Sequence, residues 1–147
     1  MWMHSAHLMV DGKKMSKSLG NFYTLRDLLE KGYCARAVRY VLLSAHYRQP
    51  LNFTFEGLDA AKQVFEKFDD TIAKLNLVNG DGIDIAAINV KTLHAFEEAL
   101  DDDLNISAAL AVVFDYLREI NTSMNTVSKV NAQEIMETLQ QFDSVLG

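Results

Sequence analysis

The sequence predicts a mainly α protein: an N-terminal hairpin with a cationic loop, a small helical unit, then an antiparallel four-helix bundle. Three observations predict it. Apolar residues recur every three or four positions through most of residues 55–146, the period of helices with one buried face. Capping residues and Gly/Asn/Asp breaks cut that stretch into four pieces. Only Leu8-Met9-Val10, ahead of Asp11-Gly12, reads as a strand entering a tight turn. The 147 residues, 49% of them hydrophobic, suffice for one ordinary domain or a small domain with an arm.

Each element follows from local chemistry. Thr24 with Asp27 has the spacing of a capping box, opening a short helix over 25–31 that Gly32 stops. A second helix runs over 35–45, with Val38, Val41, Leu42 and Ala45 on one face. Residues 46–53 read as irregular, with Pro50 fixing an extended turn. Thr54 caps a long helix over 55–78, whose stripe is Leu58, Ala61, Phe65, Phe68, Ile72 and Leu75. Asn79-Gly80-Asp81-Gly82 breaks it. The second bundle helix spans 89–100, with Leu93, Phe96 and Leu100 inward. Asp101–Asn105 forms a turn, and Asn105 caps a third helix to about 125. Asn131 with Glu134 signals the start of the last helix, over 132–146. These stripes bury one another, so residues 54–147 are expected to fold alone, after a segment 1–23 and a helical unit 24–53.

Charge divides the chain. Residues 1–50 hold eight Lys/Arg against three Asp/Glu, a balance of +5; residues 51–147 hold six against seventeen, a balance of −11, recovering the net −6. Any polyanion is therefore expected to meet the first part. The single cysteine, Cys34, excludes an internal disulfide and suits a reducing cytoplasm. No apolar run approaches the roughly 20 residues of a membrane span. His4 and His7 have metal-ligand spacing without a completing set. Asp101-Asp102-Asp103 lacks the glycine and glutamate of a calcium loop. No metal site is expected.

The motif richest in chemistry is Lys14-Met15-Ser16-Lys17-Ser18, continued by Leu19-Gly20-Asn21. Two ammonium groups three residues apart can approach a polyphosphate as point charges on long stems. Ser16 and Ser18 add hydroxyl donors, and Gly20 permits a turn that a Cβ resists. Such a loop can stabilise charge developing on a leaving pyrophosphate. It carries little apolar anchoring, so mobility is expected across residues 11–21.

This string resembles the second signature of class I aminoacyl-tRNA synthetases, KMSKS. The resemblance extends to cysteinyl-tRNA synthetases through Trp2-Met3-His4, Leu8 to Lys13, Asn21 to Leu29, and Arg39-Tyr40 with Leu43 to Phe53. It continues through Asp101 to Asn105, Ala108-Ala109-Leu110 and Phe114. It implies a fragment reaching from the KMSKS loop at the end of the catalytic domain, through a stem-contact helical unit, to the helical domain that follows.

The resemblance implies ATP-dependent activation of cysteine and its transfer to tRNA(Cys), with ATP, cysteine and tRNA(Cys) as the partners of the full-length enzyme and no role for DNA or membrane. It implies that Lys14, Ser16 and Lys17 stabilise the transition state, that Lys17, His4 and Trp2 lie at the ATP site, and that Arg26, Arg36 and Arg48 face tRNA. The family also has a His-Ile-Gly-His-type first signature and a zinc ion. Neither that tetrapeptide nor a zinc ligand set occurs in this sequence, so the chain alone is expected to be inactive in cysteine activation. It reads as an internal fragment or a separately encoded remnant. The alternatives are a non-catalytic, synthetase-derived paralogue or tRNA-binding module, and a fragment of a related cysteine ligase of thiol biosynthesis.

Overall fold

A computed structural model describes residues 4–147; Trp2 lies outside them. The chain is mainly helical with a small three-stranded sheet, and it divides into two compact units, residues 1–65 and 66–147.

The first unit begins with β1 (Leu8–Val10) and β2 (Lys13–Lys14), an antiparallel hairpin pairing Met9 with Lys14 and Val10 with Lys13. The joining residues Asp11 and Gly12 both have positive φ, 49° and 71°. That is the turn whose twist matches a hairpin, and the Asp-Gly pair tolerates it. Two short helices follow, α1 (Leu25–Glu30) and α2 (Ala35–Leu43). The chain then returns as β3 (Leu51–Phe53), parallel to β1 in the register Leu8–Leu51, Met9–Asn52 and Val10–Phe53. The sheet order is β2-β1-β3. β3 corrects the irregular reading of residues 46–53. Three residues after a proline give too short a pattern to read as a strand, and the partner that orders them lies far away in sequence.

The core of this unit is Val10, Leu28, Ala37, Val38, Val41, Phe53, Leu58 and Ala61, with Met15, Tyr23, Tyr40, Phe55 and Phe65 packed against it. The α2 face differs by one position from expectation: Ala37 is buried while Leu42 is 47% exposed. α3 (Phe55–Leu75) starts where Thr54 predicts, with the Thr54 hydroxyl accepting from the Gly57 N–H at 3.0 Å. Its stripe does not form one seam. Leu58, Ala61 and Phe65 belong to the first core, whereas Phe68 and Leu75 belong to the second. A helix period records that a face is buried and carries no information about which neighbour buries it.

The second unit is built from the end of α3 with α4 (Ile85–Asp101), α5 (Ile106–Ser123) and α6 (Lys129–Leu146). Its core centres on Phe96, Val113, Tyr116, Leu117, Ile120, Ile135 and Phe142. The Phe96 and Phe142 rings lie 4.8 Å apart, and Tyr116 meets Phe142 edge-on at 5.9 Å. Asn105 caps α5 as expected, accepting from the Ala108 N–H at 3.2 Å.

Two helix starts differ from the sequence reading. α4 begins at Ile85 behind Asp84, and α6 begins at Lys129 behind Ser128. Asn131 is the reciprocal member of the Ser128 capping box. It is also buried, and its side-chain amide exchanges hydrogen bonds with the Ile83 backbone, accepting at 2.9 Å and donating at 3.2 Å. Gly80 sits so close to Thr126 that a Cβ would collide with that residue's backbone. Both contacts tie the α3–α4 connection to the start of α6.

Burial pushes the Tyr116 hydroxyl up to about 12, against a smaller lowering by Thr138. Its proton is donated to Asn89 Oδ1 at 2.6 Å, which also favours the neutral phenol. For an acid whose folded value is raised, stability is complete below the unfolded value of about 10 and is lost as pH rises through the folded one. Spectrophotometric titration should therefore show one tyrosine ionising near 12, and the bundle should lose stability from about pH 10 upward.

The divided α3 stripe gives a second expectation. Leu58→Ala and Ile120→Ala, both at fully buried positions, should each cost about 2–5 kcal/mol. In hydrogen exchange, Leu58→Ala should expose β1, α2 and β3 first, and Ile120→Ala should expose α4 to α6. An identical exchange pattern for the two variants would contradict separate cores.

Candidate functional site

The cationic loop grows directly out of the hairpin. β2 ends at Lys14, Met15 turns inward against the first core, and Ser16 leads into a single 3-10 turn, Lys17–Leu19. Gly20 closes that turn at φ 69°, donating its N–H to the Lys17 carbonyl at 3.3 Å. The same turn is supported by the Leu19 N–H on the Ser16 carbonyl at 3.2 Å. The inward Met15 corrects the expectation of a loop with little apolar anchoring.

Side-chain amides brace the loop at both ends. Asn21 Oδ1 accepts from the Ser16 N–H at 2.8 Å, and Asn21 Nδ2 donates to the Lys14 carbonyl at 3.2 Å. At the hairpin tip, Asn52 Oδ1 accepts from the Gly12 N–H at 2.7 Å. The Asp11 N–H donates to the Phe53 carbonyl at 3.1 Å. Neither asparagine stands out in the sequence, because each acts through a backbone partner that spacing does not reveal.

Lys14, Ser16 and Lys17 lie along this one short segment, with Ser16 half-buried. Both lysines are exposed, and among the described residues neither ammonium is engaged by a carboxylate. The Ser16 and Ser18 hydroxyls are 2.8 Å apart. Lys17 Nζ lies 5.5 Å from the centre of the Phe22 ring. An exposed contact of that kind is worth about 0.5–1 kcal/mol. A charge-assisted hydrogen bond is worth about 1.5–3 kcal/mol, so Lys17 can leave the ring for an anion. His4 is exposed near the start of the described chain.

The capping box behind the loop is complete. The Thr24 N–H and hydroxyl both donate to Asp27 Oδ2 at 2.7 Å, and the Asp27 N–H donates back to the Thr24 hydroxyl at 3.2 Å. The donated Thr24 N–H, then its hydroxyl, hold the Asp27 carboxyl below the usual carboxylate range. This cap is therefore intact at neutral pH and is lost as pH falls through that lowered value.

The three arginines sit on different parts of the first unit. Arg26 is exposed on α1. The Arg36 guanidinium lies over the Phe65 ring at 4.7 Å. Arg48 lies over Tyr47 at 5.2 Å and donates its Nε–H to the Tyr47 hydroxyl at 2.9 Å. Stacking fixes the plane of a guanidinium while its edge can still donate.

The described residues offer no ligand set that fits the zinc implied by the resemblance. Among the described residues no three His, Cys, Asp or Glu side chains group to hold an ion, and Cys34 is exposed at the start of α2. Among the described residues, no helix is long and apolar enough to cross a membrane.

Residues 1–63 match the family described as tRNA synthetases class I (C) catalytic domain, and residues 95–147 match the DALR domain. The chain is 48% identical over 152 residues to a protein of Protochlamydia amoebophila (strain UWE25) named Cysteine--tRNA ligase, covering 100% of this chain and 32% of that protein. Proteins of the same name from Chlamydia muridarum and from Chlamydia trachomatis serovar D are 47% and 45% identical, each over 99% of this chain and 34% of theirs. The chain thus spans about a third of the length of the curated relatives it matches. Among solved structures, the ternary complex of Agrobacterium radiobacter K84 agnB2 LeuRS-tRNA-LeuAMS superposes with a TM-score of 0.68 at 22% identity, covering 87% of this chain and 19% of that one. That likeness is one of fold. The loop string, the two matched domains and the whole-chain identity place the chain in the cysteine–tRNA ligase family, of whose members it represents about a third.

Proposed function

We propose that this chain supplies the leaving-group loop and the tRNA-facing helices of an ATP-dependent cysteine–tRNA ligase. In that reaction a cysteine carboxylate oxygen attacks the α-phosphorus of ATP, and the bond to the bridging oxygen of pyrophosphate breaks. Negative charge accumulates on the departing pyrophosphate. Lys17 and Lys14 meet it as ammonium groups, and the Ser16 hydroxyl donates a further hydrogen bond. A contact that strengthens as this charge develops lowers the barrier rather than merely tightening binding. Trp2 and His4 are assigned to the ATP side of the site on the family resemblance. In the second step the terminal ribose of tRNA(Cys) takes the cysteinyl group. The observation that carries the reading is that a braced hairpin and turn hold Lys14, Ser16 and Lys17 along one short segment with both lysines exposed.

Arg26, Arg36 and Arg48 are assigned to tRNA phosphates. Such contacts position the nucleic acid without reading its sequence. The +5 balance of residues 1–50 supports placing them there, against the −11 of the remainder.

The catalytic assignment is tested by replacing the corresponding segment of the Protochlamydia amoebophila ligase with this chain. Cysteine-dependent exchange of pyrophosphate into ATP is then measured. Lys17→Ala should lower kcat by about 10²- to 10³-fold, with little change in the KM for cysteine. Unchanged exchange in that variant would reject the leaving-group role.

For the RNA assignment, the 147-residue chain is titrated with tRNA(Cys) at two salt concentrations. Wild-type binding should weaken steeply with salt. Replacing Arg26, Arg36 and Arg48 by alanine should flatten the log–log slope by roughly 2–3, as expected for three lost phosphate contacts. Full affinity and an unchanged slope in the triple variant would place the contacts elsewhere.

A further inference from the structure

We propose that Asn21, with Asn52, is a positioning residue for the loop lysines; the inference rests on the leaving-group reading of the loop. A lysine acts as a point charge on a flexible stem, so its effect depends on where its backbone is held. The backbone from Gly12 to Ser16 is held at its two ends by side-chain amides. Asn52 accepts the Gly12 N–H at 2.7 Å. Asn21 uses both halves of its amide, accepting the Ser16 N–H at 2.8 Å and donating to the Lys14 carbonyl at 3.2 Å.

The second brace spans the residues that count. It joins the backbone of the first lysine to the residue immediately before the second. It also holds Ser16 in extended conformation, φ −153° and ψ 138°, at the entry to the 3-10 turn that carries Lys17. Released from Asn21, that junction would keep the β1–β2 pairing at Lys14, the Met15 contact, the Ser16–Ser18 hydroxyl contact and the 3-10 bonds of 3.2 and 3.3 Å, none of which ties the Lys14 carbonyl to the Ser16 N–H. Asn21 touches no phosphate in this scheme; it fixes the angle at which Lys14 and Lys17 leave the chain.

An aspartate at position 21 would separate the two halves of the brace. Its carboxylate can still accept the Ser16 N–H but cannot donate to the Lys14 carbonyl.

The test uses the 147-residue chain with inorganic pyrophosphate as the probe, read by amide chemical shifts at low salt. Melting midpoints and amide hydrogen exchange are recorded for wild type, Asn21→Ala, Asn21→Asp, Asn52→Ala and Lys17→Ala. Asn21→Ala should leave the melting midpoint close to wild type, speed exchange of the Ser16 amide, and weaken pyrophosphate binding roughly three- to tenfold, the equivalent of one lost hydrogen bond. Asn21→Asp should restore Ser16 amide protection. Asn52→Ala should speed exchange of the Gly12 amide and weaken the probe by a smaller factor.

The outcomes separate the two ideas. If Lys17→Ala weakens binding and Asn21→Ala does not, the positioning role is overturned and the leaving-group reading stands. If Lys17→Ala binds like wild type, Lys17 is not the pyrophosphate contact and the leaving-group reading fails; if wild type does not bind, the positioning role in the isolated chain is overturned and pyrophosphate exchange in the hybrid ligase decides the leaving-group reading. Ser16 exchange then decides the brace alone, and unchanged protection in Asn21→Ala overturns it.

Discussion

Parallel pairing of Leu8–Val10 with Leu51–Phe53 is the contact on which the first unit depends. Parallel strands require a long crossover, and here it contains the β2 hairpin arm, the cationic loop, α1 and α2. Closing so long a segment is opposed by chain entropy, though that cost grows only slowly with length. Burial of Val10 and Phe53, at 1% and 4% exposure, offsets it by about 1.5–3 kcal/mol for each side chain. The pairing has a chemical consequence as well. It brings Asn52 under the hairpin tip and so braces the strand from which Lys14 and the signature loop emerge.

The loop shows how a cationic segment can be ordered without neutralising its charges. The Ser16 N–H and Lys14 carbonyl are paired with the Asn21 amide, and the Ser16 and Lys17 carbonyls are paired within the loop's own 3-10 turn, while the two lysines stay exposed. A carboxylate in place of the Asn21 amide could accept the Ser16 N–H but could not donate to the Lys14 carbonyl. It would also place a negative charge beside the two lysines. Met15 supplies the apolar anchor between the two lysines, so the rim is fixed on one side and open on the other.

In the second unit, order depends on a different device. The α3–α4 connection and the start of α6 are joined by Asn131, which is buried and satisfied by Ile83 and Ser128. Gly80 permits the close approach to Thr126. A buried amide is tolerable only when its bonds are made, so Asn131 fixes the register of this end of the bundle rather than merely filling space.

Local chemistry was legible in the sequence. Residues 8–14 read as a hairpin because Asp11-Gly12 tolerates two positive φ values. The Thr24–Asp27 box, the Thr54 cap and the Asn105 cap were visible because each is closed within three residues. The loop's lysines and hydroxyls stood out in the sequence because their chemistry does not depend on distant partners. Tertiary structure decided what depends on such partners. β3 exists because β1 is there to pair with it. The α3 stripe splits after Phe65 because two different sets of neighbours cover the two halves of one regular face. Asn131 is a buried strut rather than the first residue of a capping signal, because Ile83 comes from 48 residues away to meet it. Asn21 and Asn52 became readable as braces for the same reason: a hydrogen bond to backbone leaves no pattern in the residue types it joins.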